Sequence, residues 1–139
     1  MRLVAEQRVR YGDTDTMGVV YYANYLRYFE AARVEYLREL GHDYRQMEAG
    51  GIVVAVIEAV CRYHVPARFD DLIALHCGVT DMRRASFAFE YEIRRLPDRT
   101  LLSSGRTVHA CLQRDTLRPV RVPEPLRLAI EAFEAIATP

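Results

Sequence analysis

The chain has 139 residues, half of them hydrophobic, and its 19 basic and 19 acidic residues cancel at pH 7. That length fits a single domain, residues 1–139, with a real core, and the cancelled charge excludes a global field drawing it to nucleic acid or anionic membrane. No apolar run approaches the roughly 18–20 residues of a membrane span, and residues 1–6 lack the apolar core of a signal peptide.

Cys61, Cys77 and Cys111 are odd in number, far apart and without a CxxC pair. They read as free thiols in a reducing cytoplasm, not as a disulfide framework or a zinc site. Residues 3–10 read as a strand of poor alternation. Tyr11-Gly-Asp-Thr-Asp15-Thr-Met-Gly18-Val-Val-Tyr-Tyr22-Ala-Asn-Tyr25 follows, where that strand hands over to the longest helix. Tyr25, Phe29, Ala32, Tyr36, Leu37 and Leu40 recur at steps of three and four, which predicts one buried helical face. Gly41 stands where a left-handed C-terminal cap is expected, and Arg38 suits the helix dipole. Residues 42–51 read as a polar connection ending in a Gly50-Gly51 turn.

Residues 52–65 form the most β-like stretch, with positions 53, 55, 57, 59, 61, 63 and 65 as one apolar set. A period of two kept this long predicts a long, curved strand. Residues 66–71 read as a turn. Ile73, Leu75, Cys77 and Val79 alternate in the next strand; Phe87, Phe89, Tyr91 and Ile93 do so more cleanly in the one after. Residues 97–99 turn the chain into a strand over 100–114, with Val108, Ala110 and Leu112 on one face. A last amphipathic helix follows residues 123–125, with Leu126, Ile130, Phe133 and Ala137 at helical spacing. The order is β, α, about four consecutive antiparallel strands, then a short α. A curved meander wrapped around one long helix satisfies it, an α+β architecture. Apolar residues left on the opposite sheet face predict an oligomer.

The residues also resemble a family. Tyr11-Gly-Asp-Thr-Asp15-x-x-Gly18-Val-Val-Tyr-Tyr22-x-x-Tyr25, then Tyr63-x-x-Pro66-Ala-Arg-Phe-Asp70-Asp71, then Arg83-Arg84-Ala-Ser86-Phe87 resemble the hotdog-fold acyl-CoA thioesterases of the 4-hydroxybenzoyl-CoA thioesterase type, including the branch linked to the Tol-Pal system. The first motif is the specific one. The resemblance implies a hotdog fold, an acyl-CoA substrate, Asp15 as the catalytic carboxylate and the backbone amide of Tyr22 as the donor that polarises the thioester carbonyl. It puts Arg83, Arg84 and Ser86 against the coenzyme A nucleotide, and Gly18, Tyr25 and Tyr63 beside the substrate. Coenzyme A is then part of the substrate, and no cofactor or metal is called for. Tyr22 stands where the Tol-Pal-linked branch often has histidine, which excludes a mechanism needing that histidine. Ala85 stands where aromatic-substrate members can carry lysine.

These residue types suit thioester hydrolysis. A carboxylate either attacks the carbonyl or takes a proton from water, and an unpaired amide at a helix start stabilises the growing oxyanion. Without the family match, Asp13 and Asp15 read more often as caps or turn residues; the match favours catalysis for Asp15 and capping or turn-making for Asp13. Likewise Arg83-Arg84 alone is a solvated turn, although arginine pairs well with phosphate. His64, His76 and His109 show no ligand spacing and read as structural. Two rival functions are a hotdog dehydratase or hydratase, disfavoured because no histidine precedes position 42, and a non-catalytic acyl-binding protein. The assembly expected is a homodimer or homotetramer. The sequence permits an aromatic or a short-to-medium aliphatic acyl group.

Overall fold

A computed structural model describes residues 1–42 and 44–136. Asp43 and Ala137 of the elements expected above lie outside the described residues. The elements are β1 (Arg2–Arg8), α1 (Asn24–Glu39), α2 (Tyr44–Ala49), β2 (Ile52–Tyr63), β3 (Leu72–Thr80), β4 (Ser86–Leu96), β5 (Thr100–Gln113) and α3 (Glu124–Ile136). One antiparallel sheet runs in the order β1-β3-β4-β5-β2.

The predicted stripe is what α1 buries. Tyr25, Phe29, Ala32, Tyr36 and Leu37 are buried and Tyr28 joins them. They meet Ile73, Leu75 and Cys77 of β3 and Phe87, Phe89, Tyr91 and Ile93 of β4 in one core. Side chains of this size are each worth about 1.5–3 kcal/mol when fully buried. Gly41 takes φ +78°, and His42 N–H bonds back to the Leu37 carbonyl, so the helix ends as its sequence predicts. One side chain of α1, Phe29, reaches the sheet backbone itself. A Cβ on Gly105 would lie 2.4 Å from Phe29 Cε2, and the Phe29 ring stacks on Tyr91 at 4.3 Å.

Three expectations need correction. The polar connection after α1 contains a helix, α2, too short and polar to show a periodic signal. The strands are not one meander: β2 lies at the far edge beside β5, and the segment over 64–71 crosses the open end of the sheet to reach β3. Asp71 N–H does turn back to the Arg68 carbonyl, as the sequence predicts, but that turn lies within the crossing. Finally, β2 does not keep one apolar face. A bulge between Val56 and Glu58 swaps its parity, so Val54 and Val56 pair with the inward Cys111 and His109, while Ala59, Cys61 and Tyr63 point inward beyond it.

On β5 the buried side is the opposite of the apolar Val108–Ala110–Leu112 side: Ser103, Thr107, His109 and Cys111 are fully covered. The outer face of the sheet is correspondingly more polar than expected, with Glu92–Arg94 and Arg106–Glu58 ion pairs. Among the described residues no helix is long and apolar enough to cross a membrane, and all three cysteines are free thiols.

Candidate active site

The first motif folds into a tight loop in front of α1. Thr14 bridges Val20, Asp15 N–H bonds to the Val19 carbonyl at 2.9 Å, and Gly18 N–H returns to the Asp15 carbonyl at 3.0 Å. Gly18 has φ +79° and open space where a Cβ would stand, so the turn itself selects glycine there. Val20 N–H bonds to the Ala67 carbonyl, and Val19 bridges Arg68. The crossing segment after β2 therefore holds the loop down.

The two aspartates separate cleanly. Asp13 Oδ2 accepts from the Tyr28 hydroxyl at 2.9 Å and from Arg10 N–H at 3.0 Å, and its carbonyl accepts from Tyr21 N–H and the Asn24 amide. Burial, and then that bond to Asp13, push the Tyr28 phenol well above its ordinary value, so it remains a donor. Asp13 is a structural anchor. Asp15 Oδ1 accepts only Met17 N–H, at 2.9 Å, and its other oxygen has no partner among the described residues. Neither aspartate caps α1, whose N-cap is Ala23 without a side-chain bond.

The helix start is open. Asn24 N–H bonds to the Tyr21 carbonyl, but the N–H groups of Tyr22 and Ala23 find no acceptor among the described residues. Beside them lies an apolar groove of about 260 Å³ walled by Val19, Val20, Tyr22, Tyr25, Tyr63, His64, Val65 and Pro66. Tyr25 is buried and its hydroxyl accepts Ala67 N–H at 3.1 Å. Tyr63 is half exposed, packs edge-on against Tyr22 and Tyr25, and donates its hydroxyl to the Tyr22 carbonyl at 3.1 Å. Burial and the neighbouring Cys61 thiol push the Tyr63 phenol up to about 12, so it stays protonated at neutral pH. His64 was expected to be merely structural; it lines the groove, with Nε2 2.8 Å from Ser104 Oγ.

Arg83, Arg84 and Ser86 lie elsewhere. Arg83 N–H bonds to the Ser86 carbonyl at 2.8 Å, closing the β3–β4 connection, and Arg83 Nε sits 3.2 Å from Asp81 Oδ1. That contact, first among its causes, holds the Asp81 carboxyl below its ordinary value. Arg121, Arg127 and Glu124 complete a basic hollow of about 460 Å³ around Arg83 and Arg84. The Arg127 guanidinium donates to the Arg83 carbonyl at 2.6 Å and fixes the loop. Sequence reasoning passed over Arg121, Arg127 and Asn24. Nothing in the sequence groups the two arginines with Arg83 and Arg84, which only α3 folding back onto the hairpin does; Asn24 carried a signal, a polar amide at a helix start.

The two groups occupy opposite ends of the sheet. Asp15, Gly18, Tyr22, Tyr25 and Tyr63 gather where β3 begins and β2 ends; Arg83, Arg84 and Ser86 sit where β3 has ended and β4 begins. The nine residues of β3 separate them by about 25–30 Å.

The family model of the thioesterase-like superfamily matches residues 9–130. This chain belongs to that superfamily. A thioesterase of this family was the reading of the motifs, and the fold agrees with it. The chain is 38% identical, over 88% of its length and 89% of the relative's, to the acyl-CoA thioesterase YbgC of Haemophilus influenzae. The solved DHNA-CoA thioesterase of Staphylococcus aureus superposes with a TM-score of 0.88 at 30% identity, covering 95% of this chain and 90% of that one. A 1,4-dihydroxy-2-naphthoyl-CoA thioesterase from Synechocystis shares the hotdog architecture at a TM-score of 0.88 and 23% identity, over 99% and 98% of the two chains.

Proposed function

We propose that this thioesterase hydrolyses acyl-CoA to the free acid and coenzyme A, at sites that two copies of the chain build together. The observation that carries the reading is a loop that holds a half-unpaired Asp15 carboxylate and leads into a helix start where the Tyr22 N–H has no acceptor among the described residues. The thioester oxygen takes the Tyr22 N–H, helped by the positive end of α1; a donor of this kind is worth about 2.7–4 kcal/mol to the transition state. Asp15 then either attacks the carbonyl carbon or takes a proton from the attacking water, and the sulfur leaves as coenzyme A thiol. Water supplies the oxygen of the product acid, and no cofactor or metal is needed.

The acyl group lies in the tyrosine-walled groove, whose size suits an aromatic or a short-to-medium aliphatic tail. Gly18, Tyr25 and Tyr63 border it. Arg83, Arg84 and Ser86 hold the nucleotide and its phosphates through charge-assisted bonds, with Arg121 beside them. Within one chain the whole length of β3 lies between those groups and Asp15.

The free edge of β2 supports a site shared by two copies. Twelve residues long, it is unpaired on its outer side among the described residues and exposes Val56, Ile57 and Val60, the profile of an edge that seeks a second strand. Antiparallel pairing of two β2 edges about a two-fold axis sets the Tyr63 end of one copy beside the Ile52 end of the other. Asp15 of one copy thereby faces Arg83 and Arg84 of the next. A homodimer is the smallest such assembly, and a homotetramer contains it twice. The free thiols suit the cytoplasm, where we place the protein.

Thiol release from a panel of aliphatic and aromatic acyl-CoAs tests the chemistry. Wild type is expected to turn over at least one, and Asp15→Asn to lose about 10²–10⁴-fold in kcat with KM little changed. An Asp15→Asn protein as fast as wild type removes the carboxylate from the mechanism. Inertness of both toward every acyl-CoA would leave an acyl-binding module.

A further inference from the structure

Resting on that reading, we infer that Tyr63 is a positioning residue: its hydroxyl aims the helix-entry peptides that receive the thioester oxygen. The backbone over residues 21–24 is tied at both ends. Tyr21 N–H bonds to the Asp13 carbonyl at 2.9 Å, Asn24 N–H to the Tyr21 carbonyl at 2.9 Å, and the Asn24 side-chain amide again to the Asp13 carbonyl at 2.9 Å. Between these ties the Tyr22 and Ala23 N–H groups have no acceptor among the described residues.

The Ala23 carbonyl takes Leu26 N–H at 3.2 Å, and a second handle on this segment is the carbonyl of Tyr22. Its helical partner is distant, with Tyr25 N–H at 3.4 Å, whereas the Tyr63 hydroxyl donates to it at 3.1 Å. In a trans peptide the carbonyl and the following N–H point in opposite directions. Holding the Tyr22 carbonyl toward Tyr63 therefore turns the Ala23 N–H away from it and fixes the rotation next to the Tyr22 N–H. Tyr63 is itself well placed to do this. Its backbone pairs with Ser103 across the sheet, and its ring meets Tyr25 edge-on with centroids 5.3 Å apart. Only the tip of a half-exposed side chain makes the bond, so removing the oxygen disturbs little else. The ring serves as groove wall and the hydroxyl as a pointer, two roles that a single-atom change separates.

The test is Tyr63→Phe in the full chain, assayed on the acyl-CoA that wild type hydrolyses best. We expect kcat to fall about tenfold, the scale of one lost neutral hydrogen bond, with KM within about twofold and the melting temperature unchanged. The ¹⁵N resonance of the Ala23 amide should move upfield, reporting loss of the bond to the carbonyl ahead of it. An unchanged kcat, a loss confined to KM, or an unmoved Ala23 resonance each overturns the positioning role. If wild type releases no thiol from any acyl-CoA, it is the hydrolysis reading that fails, and the Ala23 resonance alone then decides whether Tyr63 holds the peptide.

Discussion

Asp13 and Asp15 are the same residue type two positions apart, and the fold gives them different work. Asp13 spends its carboxylate on Tyr28 and Arg10, while Asp15 keeps one oxygen open. Their division was legible in the sequence only through the family motif, because two aspartates before a helix carry no local mark of which one is free. The Tyr22 amide likewise came only from the motif. It is a backbone group, and its lack of an acceptor among the described residues depends on the loop geometry that ties its neighbours. Gly105 gave no signal at all, since it interrupts a strand without a turn. In the structure the Phe29 ring of α1 lies directly on the β5 backbone there: an added Cβ would meet Phe29 Cε2 at 2.4 Å and the Val60 carbonyl at 2.5 Å. The second neighbour is backbone and cannot rotate aside. Gly105→Ala is accordingly expected to cost about 1–3 kcal/mol in urea denaturation through overpacking, and a variant as stable as wild type would show that the approach is looser than described.

At the scale of elements, apolar spacing was a sound guide where one side of an element is wholly covered, and misled elsewhere. α1, its Gly41 cap and the buried faces of β3 and β4 follow from apolar spacing, because one side of each is wholly covered. α2 is too short to show a period. The bulge in β2 mixes its two faces, and no local residue says which strand it will pair with. β5 misleads for another reason: it buries polar side chains that satisfy one another. Tyr91 Oη and Thr107 Oγ1 are 2.5 Å apart, and Thr107 Oγ1 lies 2.8 Å from His109 Nε2. His109 Nδ1 has no partner among the described residues. Burial first, and then the Arg33 charge, lower the His109 pKa from 6.5 to about 4. Above pH 6.5 the ring is neutral in both the folded and the unfolded chain, so it adds no pH dependence. As pH falls from about 6.5 towards 4 the unfolded chain binds a proton that the folded one refuses, and stability drops. Urea midpoints measured across that window should fall for wild type and fall less for His109→Gln. Equal acid sensitivity in the two proteins would remove His109 from this role.

For the whole molecule, the controlling fact is that one chain keeps its carboxylate and its arginines at opposite ends of the sheet, about 25–30 Å apart. The motifs alone give no hint of this, because sequence order says nothing about which end of a sheet each motif reaches. The expectation of an oligomer rests on apolar residues of the outer face; a second argument for the proposed dimer is the β2 edge, unpaired on its outer side among the described residues. The proposed assembly makes a demand on mixed dimers. A heterodimer of Asp15→Asn with Arg83→Ala/Arg84→Ala, isolated through two different tags, contains one site in which both changes fall together and one in which neither does. Assayed for thiol release at acyl-CoA well below KM, the heterodimer should recover about half the wild-type rate, although each parent homodimer is nearly inactive. A heterodimer as inactive as its parents would mean that carboxylate and arginines serve the same chain, and would contradict a site built by two.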